Sequence, residues 1–111
     1  MFYEPSKGHG LPHDPFKAIV APRPIGWISS LGADGSVNLA PYSFFNALGT
    51  HPHLVMFSSE GQKDSVSFAG ETREFVANLV SRDLAEKMNA SAVDAPRGGA
   101  TSDDGTGVRP A

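Results

Sequence analysis

The sequence predicts a mainly β fold, a β-barrel with short helices that is left partly open, and three features carry that expectation. Residues 25–31 and 37–40 are strand-like runs on either side of Gly32-Ala33-Asp34-Gly35-Ser36, the pattern of a hairpin. Residues 54–59 open with an unbroken apolar run of strand length, and residues 75–80 alternate apolar with small or polar side chains. Helical signals are confined to two short stretches, after Asp64 and after Ser81. Four strands with short crossovers do not close a barrel, so its edge is expected to be completed by more chain or by a partner.

In chain order, residues 1–15 carry Pro5, Gly8, Gly10, Pro12 and Pro15 and read as an irregular arm. Pro22-Arg23-Pro24 then keeps the backbone extended into the first strand. Asp34-Gly35 suits a turn with positive φ, and residues 37–40 return antiparallel. Residues 41–49 mix aromatics with Ser43 and Asn46 and read as an irregular segment. The apolar run from Leu54 to Phe57 is expected to be buried on both faces. Asp64 or Ser65 caps a helix ending near Thr72, with Val66 and Ala69 or Gly70 facing inward. Ser81 caps a second helix, in which Leu84 and Met88 share a face and Asp83 pairs with Lys87. Residues 94–111 hold four glycines and two prolines, no aromatic, and Val108 as the only branched aliphatic. That segment buries too little to offset its ordering entropy and is expected to be disordered, which leaves residues 1–93 as the domain.

Composition excludes several function classes. A net charge of −3 gives no basic field for nucleic acid. The absence of cysteine removes disulfides, thiolate metal sites and a cysteine nucleophile. The first ten residues lack the basic and apolar regions of a signal peptide, and no apolar run is long enough to span a bilayer as a helix. A soluble cytoplasmic protein is expected, with no membrane partner. His51 and His53 flank Pro52, and His9 and His13 lie in the arm, without acidic or cysteine partners at ligand spacing, so no metal site is expected.

Residues 23–29, Arg-Pro-Ile-Gly-Trp-Ile-Ser, together with residues 38–46, Asn-Leu-Ala-Pro-Tyr-Ser-Phe-Phe-Asn, resemble the flavin reductase-like family of FMN-binding split barrels. Phe57-Ser58-Ser59 followed by Lys63-Asp64-Ser65, and then Glu74-Phe75-Val76-Ala77-Asn78-Leu79, fit the same family in order and spacing. Four linked blocks are far more specific than any one of them. The resemblance implies a six-stranded barrel with Greek-key-like connections and a homodimer holding FMN at the subunit interface. It also implies hydride transfer from NAD(P)H to the flavin, with reduced flavin passed to a monooxygenase or another electron acceptor. Members are commonly near twice this length. The split barrel is therefore expected to be truncated after about four strands and two helices, by truncation or by a frame change near Gly98. Two other readings stand beside the reductase: a flavin-binding electron carrier that meets no nicotinamide, and an inactive truncated fragment.

FMN asks for a flat apolar wall, hydrogen bonds along the polar edge of its ring, and donors for a phosphate dianion. By the resemblance, Tyr42, Ser43, Phe44, Phe45 and Asn46 supply the ring contacts, although Phe44 and Phe45 read equally well as core aromatics. Ser58, Ser59, Lys63, Asp64 and Ser65 form a loop running into a helix start, where free amides, hydroxyls and a lysine suit a phosphate. A plain helix cap is the simpler reading of Asp64 and Ser65. Arg23 is either a phosphate ligand or a charge fixed between two prolines. Trp27 reads as core, and Asn78 as a ribityl contact or a partner for nearby backbone. No side chain is needed as a strong acid or base for hydride transfer, so no catalytic residue is assigned.

Overall fold

A computed structural model describes residues 2–92 and resolves five strands in two sheets, with short helices between them. The predicted hairpin is present: β1 (Gly26–Leu31) pairs antiparallel with β2 (Val37–Tyr42), from Gly26 opposite Tyr42 to Leu31 opposite Val37. Its turn is closed by the Gly32 N–H donating to the Ser36 carbonyl at 2.7 Å, and Gly35 takes a φ of 86° that only a residue without Cβ adopts cheaply. The other edge of β1 pairs antiparallel with β5 (Val76–Asn78), giving the order β2-β1-β5. The second sheet is a hairpin of β3 (Phe45–Thr50) and β4 (His53–Phe57).

Helices α1 (Phe16–Ile19), α2 (Asp64–Thr72) and α3 (Ala85–Ala90) complete the described elements, with single 3-10 turns at Pro5–Lys7 and Arg82–Leu84. Because side chains alternate along a strand, directly paired residues share a face. Trp27 and Leu39 lie on one face of the three-stranded sheet, where Val80, Leu84 and Met88 pack against them. The Trp27 indole N–H donates to the Ser91 hydroxyl at 2.9 Å and ties β1 to the end of α3. Gly26, Ile28, Asn38, Ala40 and Tyr42 lie on the opposite face. That face meets α2, whose Ser65 hydroxyl accepts from the Asn38 amide at 2.6 Å. β1 is consequently covered on both sides, with residues 26–30 all buried.

Five expectations are corrected, the last of them at Ser81. Residues 45–50 form a strand, although a register shift between Ala47 and Gly49 breaks its alternation. The apolar run of β4 is not doubly buried: Leu54 and Val55 are 50% and 51% exposed, since the two-stranded sheet is uncovered on part of its surface. The inward side of α2 is Ser65 and Phe68, three residues apart, rather than Val66 with Ala69 or Gly70. Neither Asp64 nor Ser65 caps α2; the cap position is Lys63, and no side chain bonds the helix end there. The expected disordered tail, residues 94–111, lies outside the described residues.

Ser81 likewise makes no capping bond; its hydroxyl donates to Asp83 Oδ1 at 2.6 Å. That bond, then the residue's own backbone amide and, more weakly, the charge of Lys87 hold the Asp83 carboxyl below its ordinary value of 3.8. A lowered folded pKa contributes stability that is present above 3.8 and is lost as pH falls through the folded value. Asp83 is fully exposed, so the effect is small. Ser81→Ala is expected to bring the Asp83 titration midpoint, followed by carboxyl NMR, back toward 3.8; an unmoved midpoint would exclude the hydroxyl as its main cause.

Candidate functional site

One face of β2 makes the floor of a cleft. Asn38, Ala40 and Tyr42 recur at the two-residue spacing of a strand, and all three line a cavity of about 420 Å³. Its walls come from Ser43 and Phe44 just past β2, from Ser58, Ser59, Glu60, Gln62 and Lys63 between β4 and α2, and from Asp64 and Ser65 in the first turn of α2. Lys17 of α1 reaches in from a third direction. A volume of several hundred Å³ suits a drug-sized ligand or cofactor.

A backbone bond holds the two walls together. The Ser58 N–H donates to the Phe44 carbonyl at 2.8 Å, extending the β3–β4 pairing into the loops that form the cleft. Tyr42, Phe57 and Phe75 form a chain of tilted and edge-to-face rings, with successive centroids 5.0 and 4.9 Å apart, that supports the same corner.

The start of α2 presents backbone donors. The N–H groups of Lys63, Asp64 and Ser65 precede the first intrahelical bonds and receive no side-chain cap. Helix dipole and free amides together favour an anion at this end, while the Asp64 carboxylate competes for the same field. Ser65 is fully buried with its hydroxyl engaged by Asn38, so the helix start is tied to the cleft floor. The Ser59 hydroxyl donates to the Gly61 carbonyl at 3.1 Å, which leaves its oxygen lone pairs for an incoming donor.

Eight of the expected cofactor residues line this one cleft: Tyr42, Ser43, Phe44, Ser58, Ser59, Lys63, Asp64 and Ser65. Phe45, Asn46 and Arg23 do not. Phe45 packs over Gly26, and the exposed Asn46 bonds its side-chain oxygen to the Ala47 N–H. Arg23 is turned to the backbone, its Nη1 donating to the carbonyls of Lys17 and Val20, both at 2.6 Å. Asn78 takes the simpler of its two readings, donating to the Trp27 carbonyl at 2.9 Å and the Ser29 hydroxyl at 3.1 Å. Asn38, Lys17, Glu60 and Gln62 were not anticipated as cleft residues. For Asn38 the signal was available, because it and Tyr42 share one face of an alternating strand. Lys17 had no such signal.

Among the described residues there is no group of three or more His, Cys, Asp or Glu that could hold a metal ion, and no helix is long and apolar enough to cross a membrane.

Residues 20–110 match the family model for the flavin reductase like domain. The chain belongs to this family. Uncharacterized relatives support the assignment: one from Deinococcus radiodurans is 44% identical over 90 residues, 73% of this chain and 40% of the relative. Another, from Aquifex aeolicus, is 44% identical over 75 residues, 63% of this chain and 38% of its own. The fold is similar to nitrilotriacetate monooxygenase component B from Bacillus cereus, with a TM-score of 0.74 and 27% identity, covering 85% of this chain and 50% of that one. It is also similar to 2-nitrobenzoate 2-nitroreductase NbaA of Pseudomonas fluorescens, with a TM-score of 0.68 and 30% identity over 85% of this chain and 48% of the other. The chain thus spans about two fifths of these relatives and about half of these neighbours.

Proposed function

We propose that the cleft binds FMN and that the protein is a flavin oxidoreductase using NAD(P)H as the hydride donor. The observation that carries this is the Ser58 N–H bond to the Phe44 carbonyl, which joins two sequence blocks of the family on opposite walls of one cleft. The residues present fit the cofactor. Tyr42 and Phe44 offer flat apolar surface, Ser43 and Asn38 offer polar groups, and the α2 start with Ser58, Ser59 and Lys63 offers phosphate donors.

When bound, FMN supplies the two-electron chemistry, accepting a hydride from NAD(P)H. The chain's own share is placement. Backbone around residues 42–44 orients the ring, the α2 start neutralises the phosphate, and the aromatic corner shields the site from water. One structural neighbour carries the name component B of a monooxygenase, which supports passing reduced flavin to a separate acceptor. A homodimer and a cytoplasmic setting complete the proposal.

The test is an FMN titration of the 111-residue chain, followed by flavin fluorescence, and then NADH and NADPH oxidation with FMN present. Saturable quenching with nicotinamide turnover supports the reductase. Quenching without turnover would replace it with a flavin carrier, and free-flavin fluorescence throughout would remove the flavin reading. Lys63→Ala is expected to weaken FMN about tenfold, the usual scale for one charge-assisted phosphate contact.

A further inference from the structure

Two cationic side chains meet around one aromatic ring at the wall of the cleft. Lys17 Nζ stands 5.8 Å from the centroid of Phe44, and the Arg23 guanidinium carbon stands 5.3 Å from it. Arg23 is committed to structure, because its two short bonds to the carbonyls of Lys17 and Val20 anchor the main chain of α1 beside Phe44. Lys17 is not so committed. Its backbone is held by Arg23, while its side chain lines the cavity.

The contact that restrains the Lys17 ammonium is a loose one. It meets Glu60 Oε1 at 3.4 Å and Oε2 at 3.5 Å, and the two side chains are 53% and 69% exposed. Long, solvated pairs of this kind are among the weakest ionic contacts. A phosphate dianion presents more charge and three acceptor oxygens, so it competes well for the same ammonium. Glu60 also lies next to Ser59, in the loop that leads to the α2 start. The charged side chains lining the cleft are Lys17, Lys63, Glu60 and Asp64, which cancel formally. What the side chains add to the pull of the α2 start on an anion therefore turns on where Lys17 points.

We propose that Lys17, beside Lys63 and the α2 start, is a residue by which the cleft prefers a phosphorylated flavin over a dephosphorylated one, and that Glu60 holds it ready while weakening that preference. The proposal rests on the flavin reading above and adds to it a specificity residue outside every sequence block that led to that reading.

The test compares FMN with riboflavin, which lacks the phosphate, by fluorescence titration of the unaltered chain, Lys17→Met, Glu60→Gln and the double variant. Lys17→Met keeps an unbranched apolar stem and is expected to raise the FMN Kd about tenfold, with riboflavin changed by less than about twofold. Glu60→Gln is expected to act in the opposite direction, lowering the FMN Kd about threefold and leaving riboflavin alone. In the double variant most of the Glu60→Gln gain should vanish, since the carboxylate acts chiefly through Lys17. Raising the salt should shrink the FMN preference of the unaltered chain more than that of Lys17→Met.

A Lys17→Met variant that keeps the full preference for FMN overturns the inference and leaves the flavin reading intact. So does a Glu60→Gln variant that binds FMN more weakly. Equal losses of FMN and riboflavin in either variant indicate damage to the fold and count against a specificity role. If the unaltered chain binds neither flavin, both readings fall together.

Discussion

Phe68→Ala is expected to cost about 3–5 kcal/mol and to abolish cooperative unfolding of this chain at room temperature. Phe68 is the largest fully buried side chain described, and it lies on the side of α2 that faces β1 and β2. A domain of this size starts from a stability of about 5–15 kcal/mol, and incomplete burial pushes it toward the lower end. Burial here is incomplete: Leu48, Leu54, Val55 and Leu79 are all half exposed or more. Losing one buried aromatic therefore removes a large part of the total. The damage also reaches the cleft, because the first turn of α2 lines it and hangs on the Asn38–Ser65 bond. Phe68→Leu keeps most of the volume and should cost less than about 1.5 kcal/mol while retaining flavin affinity. Urea unfolding followed by circular dichroism measures both. A Phe68→Ala chain that unfolds cooperatively within about 1 kcal/mol of the parent would mean that α2 does not carry the core as described.

Local chemistry made β1, β2 and their turn legible, since Asp34-Gly35 names the turn and β-branched or aromatic residues flank it. The strand at residues 45–50 was hidden by its own irregularity. Asn46 and Gly49 are poor strand formers, and the extra residue near Leu48 breaks the two-residue period. The run from Leu54 misled in the other direction, because an apolar run records what a strand is built to bury, not what lies over it in this chain. The family resemblance pointed to both walls of the cleft and to Tyr42 on its floor, but not to Asn38 or to the third side. Asn38 was read as one position in a return strand. Lys17 enters only through tertiary geometry, carried to Phe44 by the grip of Arg23 on α1. The family's blocks thus point to residues that share a motif, while the fold adds residues that merely share a place.

Gly26→Ala should disturb the same cleft from beneath. Gly26 is buried on the face of β1 that Tyr42 shares, and a Cβ built on it would stand 2.5 Å from Phe45 Cδ2, 2.6 Å from Cγ and 3.0 Å from Cβ. Turning the ring about Cβ–Cγ relieves only the first contact, and swinging the side chain about Cα–Cβ still leaves the third, so the start of β3 itself must move. Overpacking of this kind costs about 1–3 kcal/mol. Phe45 follows Phe44 directly, and the Phe44 carbonyl accepts the Ser58 bond that joins the two walls. A displacement of a few tenths of an ångström at Phe45 is therefore expected to lower flavin affinity at least tenfold, well beyond what the stability loss alone would cause. The double variant Gly26→Ala with Phe45→Gly, which removes all three contacting atoms, separates the cause. If the clash is with the Phe45 side chain, the alanine at position 26 should cost much less in the Phe45→Gly background, a coupling of about 1 kcal/mol or more. Additive losses would mean that Gly26 is needed for backbone reasons instead. The link from this buried glycine to the cleft wall would then have to be abandoned.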